Sequence, residues 1–431
     1  MSKKNDRTPF PNIFCVSNFL ELLERFAYYG IYMGFGIYMQ HLGYTEGQLG
    51  VVQSIFLTFS YTIPVISGTF ADKYGFKKVL IVSYLAYLPS ILFLILFQSF
   101  SGIALTMLSI GLAAGIFKPL ISGTIRSVTD SSNKTLGFGI FYAMVNVGAS
   151  FGPIIMGSLR KIDWKYAFYA AAIGIGVALV ITIFFYKEPE REFKDITLGK
   201  KLKDIGVVLS DGKFALFLIL LGVFFWLPFW AFFNLCALYI DKNLDTIRLY
   251  QNVKTVLGPA VANFLSEEQN GTHRLLGETI SHTGYVIMIL QIFVSNVAEK
   301  FDGMKTFLFG LLISAAGMLV IGFAKLTPPA VVLLGIAIFA LGEMISSPRI
   351  QEYITWIAPK EKAGLYMGTN FLATGIGAML SGIIYTSLYG FVRGAGHPEY
   401  VWYVLAAHLI VGIGVIKLFT AKLGEFEELE E

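Results

Sequence analysis

Charge is what this 431-residue sequence most conspicuously lacks: Asp, Glu, Lys and Arg together make up 14% of it. Soluble domains carry about 25%, so there is too little polar surface to dissolve a fold of this size. Cysteine is nearly absent, with Cys15 and Cys236 alone. Both lie inside apolar stretches, where two buried thiols act as packing groups and not as a disulfide or metal site. The five histidines are scattered without metal-ligand spacing, and no phosphate-cradling loop occurs. These gaps argue against a membrane enzyme. A small-residue cleavage site is also missing after the first apolar run, so the start reads as an anchor and not as a removed signal peptide.

What is present is apolar, at 55% of residues and a mean hydropathy of +0.66. Apolar runs of about 20 residues, the length of one bilayer crossing, recur along the whole chain. Twelve spans are expected, at about 13–39, 48–70, 79–98, 102–125, 136–158, 166–186, 214–239, 279–298, 305–324, 329–348, 364–389 and 400–420. With the N-terminus inside, 22 of the 33 Lys and Arg fall in inner segments and 9 in outer ones. The positive-inside rule then sets both termini in the cytoplasm. The net charge of +4 is this asymmetry and gives no reason to expect nucleic acid as a partner.

The spans divide into six and six around "KEPEREFKDITLGKKLKD", residues 187–204. An internal echo supports the division: "ADKYGFKK" (71–78) and "AEKFDGMK" (298–305) each follow the second span of a half. The expected organisation is a six-helix bundle over 1–186, a cytoplasmic linker over 187–213 and a second bundle over 214–431. Two parallel repeats with a site between them at mid-membrane describe a secondary transporter. The polar outer segment 241–278 contains "YQNVKTVLGPAVANFL", an amphipathic helix interrupted at Gly258 and Pro259, read as a surface cap in preference to a gate. "NGT" at 270–272 matches a glycosylation acceptor, a triplet too common to carry weight.

Ionisable groups inside the spans carry the chemistry. In "ELLERFAYYG" (21–30), Glu21 and Arg25 are four apart, as are Glu24 and Tyr28, and Arg25 and Tyr29, so they share one side of a helix. A charge at the bilayer centre costs about 2.5–3.5 kcal/mol even on a lenient scale, so these groups must pair or line water. They are read as a functional pathway, with an ion pair that merely holds helices together as the competing account. Lys118 lies in the fourth span and Glu343 in the tenth. Lys118 also fits a simple counter-ion for the surplus carboxylate of the first span. Pro119 and Pro348 stand nearby and are expected to kink their helices.

These residues resemble the proton-coupled oligopeptide transporters, a branch of the major facilitator superfamily. "ELLERFAYYG" is similar to that family's ExxERFxYYG signature, and "GTFADKYGFKK" (68–78) to the superfamily loop GxLaDrxGrk. "GIFKP" (115–119), "FYAMVNVG" (141–148) and "LGEMISSP" with "IAPKEKAGLYMG" resemble further family motifs, and together they reach across nearly the whole chain. The resemblance implies that Glu21, Glu24, Arg25 and Lys118 form one ion-pair network that couples proton movement. It implies a peptide site lined by Arg25, Tyr29, Tyr61, Lys118, Asn146, Asn234 and Glu343. It further implies a conformational gate at Asp72, Gly75 and Lys78. One departure stands out: "FWAFFNLCALYIDKN" has Asn234 and Leu235 where the family has Glu-Gln, which puts the proton stoichiometry in question.

The expectation is therefore an all-α, twelve-span major facilitator fold taking up di- or tripeptides, or peptide-like solutes, with protons by alternating access. The rival within transport is an exporter or exchanger of another amphipathic or zwitterionic solute. No cofactor, metal or nucleic acid is expected. The partners are the substrate, protons and lipid, and the setting is the cell membrane, as a monomer.

Overall fold

A computed structural model describes residues 8–130, 133–189, 197–298, 300–357 and 363–426. The first half runs through α1 (Asn12–His41), α2 (Glu46–Thr62) with α3 (Pro64–Tyr74), α4 (Phe76–Leu96), α5 (Phe100–Ser127), α6 (Lys134–Arg160) and α7 (Trp164–Phe184). A connecting helix, α8 (Leu198–Leu209), leads to the second half. There α9 (Gly212–Leu221), a π-helical turn (Gly222–Trp226) and α10 (Leu227–Asn243) form one rod. An outer elaboration follows: α11 (Thr246–Leu257), α12 (Pro259–Phe264), β1 (Ser266–Gln269) and β2 (Thr272–Leu275). The next rods are α13 (Gly277–Ile280) with α14 (Gly284–Ala298), α15 (Gly303–Phe323) and α16 (Val331–Trp356). Last come α17 (Ala363–Ser381), joined through a π-helical turn (Gly382–Thr386) to α18 (Ser387–Gly394), and α19 (Tyr400–Leu423).

Nine of the described helices are long and apolar enough to cross a membrane, and α2 with α3 makes a tenth as a bent pair. Two rods complete two sets of six: α1, which carries the three charges, and the interrupted α13–α14. The protein is thus an all-α, multi-pass membrane protein. Lipid offers no hydrophobic force between helices, so close backbone approach holds such rods together. Gly148 and Gly152 on α6 sit against the backbone of α1 at Leu22 and Phe26, where a Cβ would collide. Gly310 and Gly317 on α15 meet Ser346 and Phe339 of α16 in the same way.

Local chemistry sets the rod ends and breaks. Thr45 and Gln48 form a reciprocal capping box at the start of α2, satisfying two orphan donors. Pro64 lacks an N–H and bends the second rod by 40°, a break not foreseen in the run 48–70. Pro119 and Pro348 lie inside the continuous helices α5 and α16. The expected single run 279–298 is instead split at 281–283. The outer segment has the expected helix pair, broken at Gly258 with φ of 86°. Its hairpin was not expected. "NGT" supplies that hairpin's two-residue turn, with Asn270 at φ 53° and Gly271 at φ 75°, the left-handed pair such turns require. Cys236 is buried, but Cys15 is exposed on α1, so only one of the two thiols is packing material.

Candidate functional site

The charges of α1 are enclosed and paired, as their spacing requires. Arg25 Nε donates to Glu21 Oε1 at 2.8 Å and lies 3.1 Å from Glu24 Oε2. All three residues are buried. One guanidinium thus serves two carboxylates, and its plane also lies 5.6 Å from the Tyr28 ring and 5.7 Å from Phe117. Lys118 on α5 does not join by contact, contrary to the expected four-membered network. Its ammonium lies 3.3 Å from the Tyr61 centroid and 4.9 Å from that of Tyr28, a cation–π arrangement. Arg25 has taken the carboxylate positions, and the tyrosine face is what remains within reach of α5.

Across the bundle, Glu343 on α16 faces this group. Tyr29 of α1 and Tyr142 of α6 both lie within its electrostatic reach. Glu21 Oε2, Glu24 Oε1, Lys118 Nζ and Glu343 Oε2 are buried without a hydrogen-bond partner among the described residues. Buried polar atoms are almost always satisfied, so these four, on α1, α5 and α16, mark a candidate place for polar groups to enter. Tyr61 stacks 4.6 Å from Trp230 of α10, and Tyr29 lies 5.3 Å from His282. Asn146 is buried and donates to its own helix at Tyr142 O, leaving its side-chain oxygen for other partners.

Asn234 stands elsewhere in function. Its Oδ1 accepts from Tyr32 Oη at 2.7 Å, its Nδ2 donates to Ser381 Oγ at 3.0 Å, and its carbonyl accepts from Gln53 Nε2 at 3.2 Å. Both side-chain atoms are therefore committed to protein partners. A neutral amide can both accept and donate here, which an ionised carboxylate cannot. Gln53 Oε1 in turn accepts from Thr386 Oγ1, and Ser54 Oγ donates to Met379 O. These bonds tie α10 to α17 through Ser381, and α2 to both α17 and the π-helical turn of the eleventh rod.

A second group of charges closes the outer ends. Arg160 Nε donates to Glu278 and lies 4.0 Å from Asp241. Arg274 lies 3.6 Å from Asp241 and pairs with Glu267, while Lys161 donates to Ser266 O on the hairpin. Arg393 pairs with Glu46 at 3.0 Å. The sequence reading counted Arg160, Lys161, Arg274 and Arg393 only as outer-loop charges. Their signal was present, since cations at span ends faced acids at the ends of other spans. GxSxG also occurs once, at Gly148–Gly152. It sits within the continuous helix α6, where the strand-turn-helix elbow of a nucleophile cannot form.

Of the expected gate, the Asp72 side chain lies outside the described residues. Gly75 joins α3 to α4 at φ 94°, a backbone only glycine adopts freely. Lys78 is exposed. Glu188 was missed: its carboxylate accepts from the N–H groups of Phe76 at 2.7 Å and Lys77 at 2.8 Å, capping α4 where the helix dipole favours an anion.

Two six-helix sets enclosing ionisable residues, with the outer ends latched, define a membrane transporter and not an enzyme. The chain belongs to the Major Facilitator Superfamily, whose sequence pattern matches residues 17–246 and 249–425. Quinolone resistance protein NorA of Staphylococcus aureus (strain MSSA476) is 24% identical over 408 residues, covering 92% of this chain and 96% of that protein. A Na(+), Li(+), K(+)/H(+) antiporter of Planococcus maritimus is 22% identical over 369 residues, covering 80% and 83%. Among solved structures, a POT family transporter in complex with 5-aminolevulinic acid superposes with a TM-score of 0.72 at 19% identity, covering 95% and 96%. The nucleoside transporter NupG gives 0.70 at 14%, covering 94% and 99%. At such identities these structural matches establish the fold.

Proposed function

We propose that this protein is a secondary active transporter that takes up di- and tripeptides, or peptide-like zwitterions, together with protons by alternating access. The carrying observation is the opposition of charge across the bundle. Arg25 and Lys118 stand on the first half and Glu343 on the second, and Lys118 Nζ and Glu343 Oε2 both lack a hydrogen-bond partner among the described residues. A small peptide presents a carboxylate at one end and an ammonium at the other, and in a low-dielectric cleft each pairing is stronger than in water. Glu21 and Glu24 sharing one guanidinium supports a proton-carrying role, because one of them can be protonated without stranding Arg25. Inward proton flow gains about 2.3 kcal/mol per 100 mV of membrane potential. The POT family neighbours agree with this reading, one of them by its complex with 5-aminolevulinic acid.

The bodies that rock are residues 1–186 and 214–431, with 187–213 as the linker and Asp72, Gly75 and Lys78 at the inner gate. The protein works as a monomer in the cell membrane with both termini cytoplasmic. Two points favour a second reading, an exporter or exchanger of another solute. Asn234 stands where the resembled family carries a carboxylate, and relatives in sequence include a quinolone resistance protein and a cation/proton antiporter. Purified protein in liposomes, offered di- and tripeptides under an inward proton gradient, tests the choice. Accumulation of peptide supports symport, and silence across a broad peptide panel selects the second reading.

A further inference from the structure

The eighth rod breaks where a membrane helix has most to lose. Between α13 and α14, residues 281–283 are non-helical, and His282 is buried there at 5% exposure. Its Nδ1 accepts the Gly284 N–H at 2.7 Å. A backbone N–H can only donate, so Nδ1 carries no proton and the ring is the neutral Nε2–H tautomer. Nε2 has no partner among the described residues, and neither has Ser150 Oγ of α6 beside it.

Unpartnered buried donors are rare in native proteins, and packing alone does not account for this one. The ring is held between Tyr29 of α1 at 5.3 Å, Phe233 of α10 at 6.4 Å and Tyr285 of α14 at 6.3 Å. Glu343 of α16 hydrogen-bonds to the side chain of Thr283, the next residue along. Among these described neighbours the ring is faced by aromatic groups and by no cation. The same short segment also carries the outer latch. Glu278 on α13 accepts from Arg160 of the other half, and Thr279 O accepts from Tyr285 Oη at 2.8 Å.

A proton arriving at Nδ1 would point directly at the Gly284 N–H. Two donors cannot share that position, so the bond that starts α14 must break. We propose that His282 is the proton-accepting hinge of the eighth rod: protonation at Nδ1 expels the Gly284 N–H, rearranges 281–284, and draws Glu278 away from Arg160 so that the outer ends separate. The proton comes from outer water and becomes the imidazolium N–H, and the bond lost is the Gly284 hydrogen bond. The inference rests on alternating access and not on the identity of the solute.

The test uses the full chain in lipid nanodiscs with no solute added. Spin labels go on Ile162→Cys and Val256→Cys, which are exposed at the outer ends, in a Cys15→Ala background, Cys236 being buried. Pulsed-EPR distances are compared at pH 8 and pH 4. Wild type is expected to gain a longer-distance population at pH 4. His282→Asn, whose Oδ1 can still accept the Gly284 N–H but takes no proton, is expected to keep the pH 8 distribution throughout. His282→Gln serves as a second uncharged replacement, with thermal unfolding reporting that each variant is folded. Lengthening in His282→Asn equal to wild type overturns the proposal, as does a wild type indifferent to pH. A failure of peptide uptake in liposomes would strike the substrate reading and leave this readout untouched.

Discussion

Lys118 on α5 holds its ammonium 3.3 Å from the centroid of the Tyr61 ring on α2, with no carboxylate in contact among the described residues. A cation held by an aromatic face alone can be captured by an incoming anion without first breaking an ion pair. Lys118→Gln is therefore expected to weaken binding of free-acid peptides by tenfold or more, about 1.4 kcal/mol. C-terminal amides, expected to compete poorly in wild type as well, should be unaffected. Competition binding with acid and amide pairs checks this, and equal losses for both would remove Lys118 from the carboxylate site.

Glu21 and Glu24 both lie against Arg25 Nε, at 2.8 and 3.1 Å. Glu21→Gln and Glu24→Gln should each abolish gradient-driven accumulation while some peptide exchange survives. Each variant retains one carboxylate for the arginine but loses a proton carrier. Uptake in liposomes with and without a pH gradient separates the two activities, and undiminished pH-driven uptake in both variants ends the assignment.

Gly50 of α2 and Gly382 of the eleventh rod approach backbone to backbone across the halves, and a Cβ on either would strike the other's carbonyl. Gly50→Ala must push the outer ends apart. Overpacking of this kind costs about 1–3 kcal/mol, so the outer-closed population should fall roughly tenfold. Labelling of cysteines placed in the outer half of the cleft should speed up accordingly. Unchanged labelling would mean that the two backbones are separated during most of the cycle.

At the inner turn, Gly75 at φ 94° and the Glu188 cap act on the same helix start. Gly75→Ala puts a side chain at φ 94° and ψ 149°, a nearly glycine-only region that costs about 1–3 kcal/mol, and its Cβ would also press on Glu188 at 3.2 Å. Glu188→Gln should cost about 1 kcal/mol through the weaker cap. Asp72→Asn should slow turnover with little change in substrate affinity. Unfolding midpoints check the first two, and initial rates against binding constants check the third. An Asp72→Asn transport rate equal to wild type would reduce that residue to loop solubility.

The bundle was legible because apolar runs of one bilayer length repeat and their flanking cations alternate in density. The pairing of Glu21 with Arg25 was legible because four residues bring two side chains to one helical side. Three things were not. The break at 281–283 hides in "SHTG", where nothing forbids helix, and it exists because His282 offers its own backbone an alternative partner. The commitment of Asn234 depends on Tyr32 and Ser381, 202 and 147 residues away in sequence. The place of Lys118 in an ion-pair network rests on the family resemblance, which carries no distances, whereas in the fold Arg25 makes the contacts to both carboxylates and Lys118 lies on Tyr61.

Glu343 is the counterpart of the Lys118 argument on the other half. Its Oε2 is buried without a hydrogen-bond partner among the described residues, and the cations of the site, Arg25 and Lys118, belong to the first half. A carboxylate so placed is best satisfied by a cationic group of the substrate, because an unpaired buried anion is far costlier than a paired one. N-acetylated peptides should therefore compete poorly with their free-amine counterparts in wild type. Glu343→Gln should erase that difference, weakening the free-amine peptide by about tenfold, or about 1.4 kcal/mol, and leaving the acetylated one where it was. The measurement is a set of matched inhibition curves in liposomes at fixed pH. If acetylated and free peptides compete equally well in wild type, the site does not read the amino end. The solute is then the non-peptide one of the second reading.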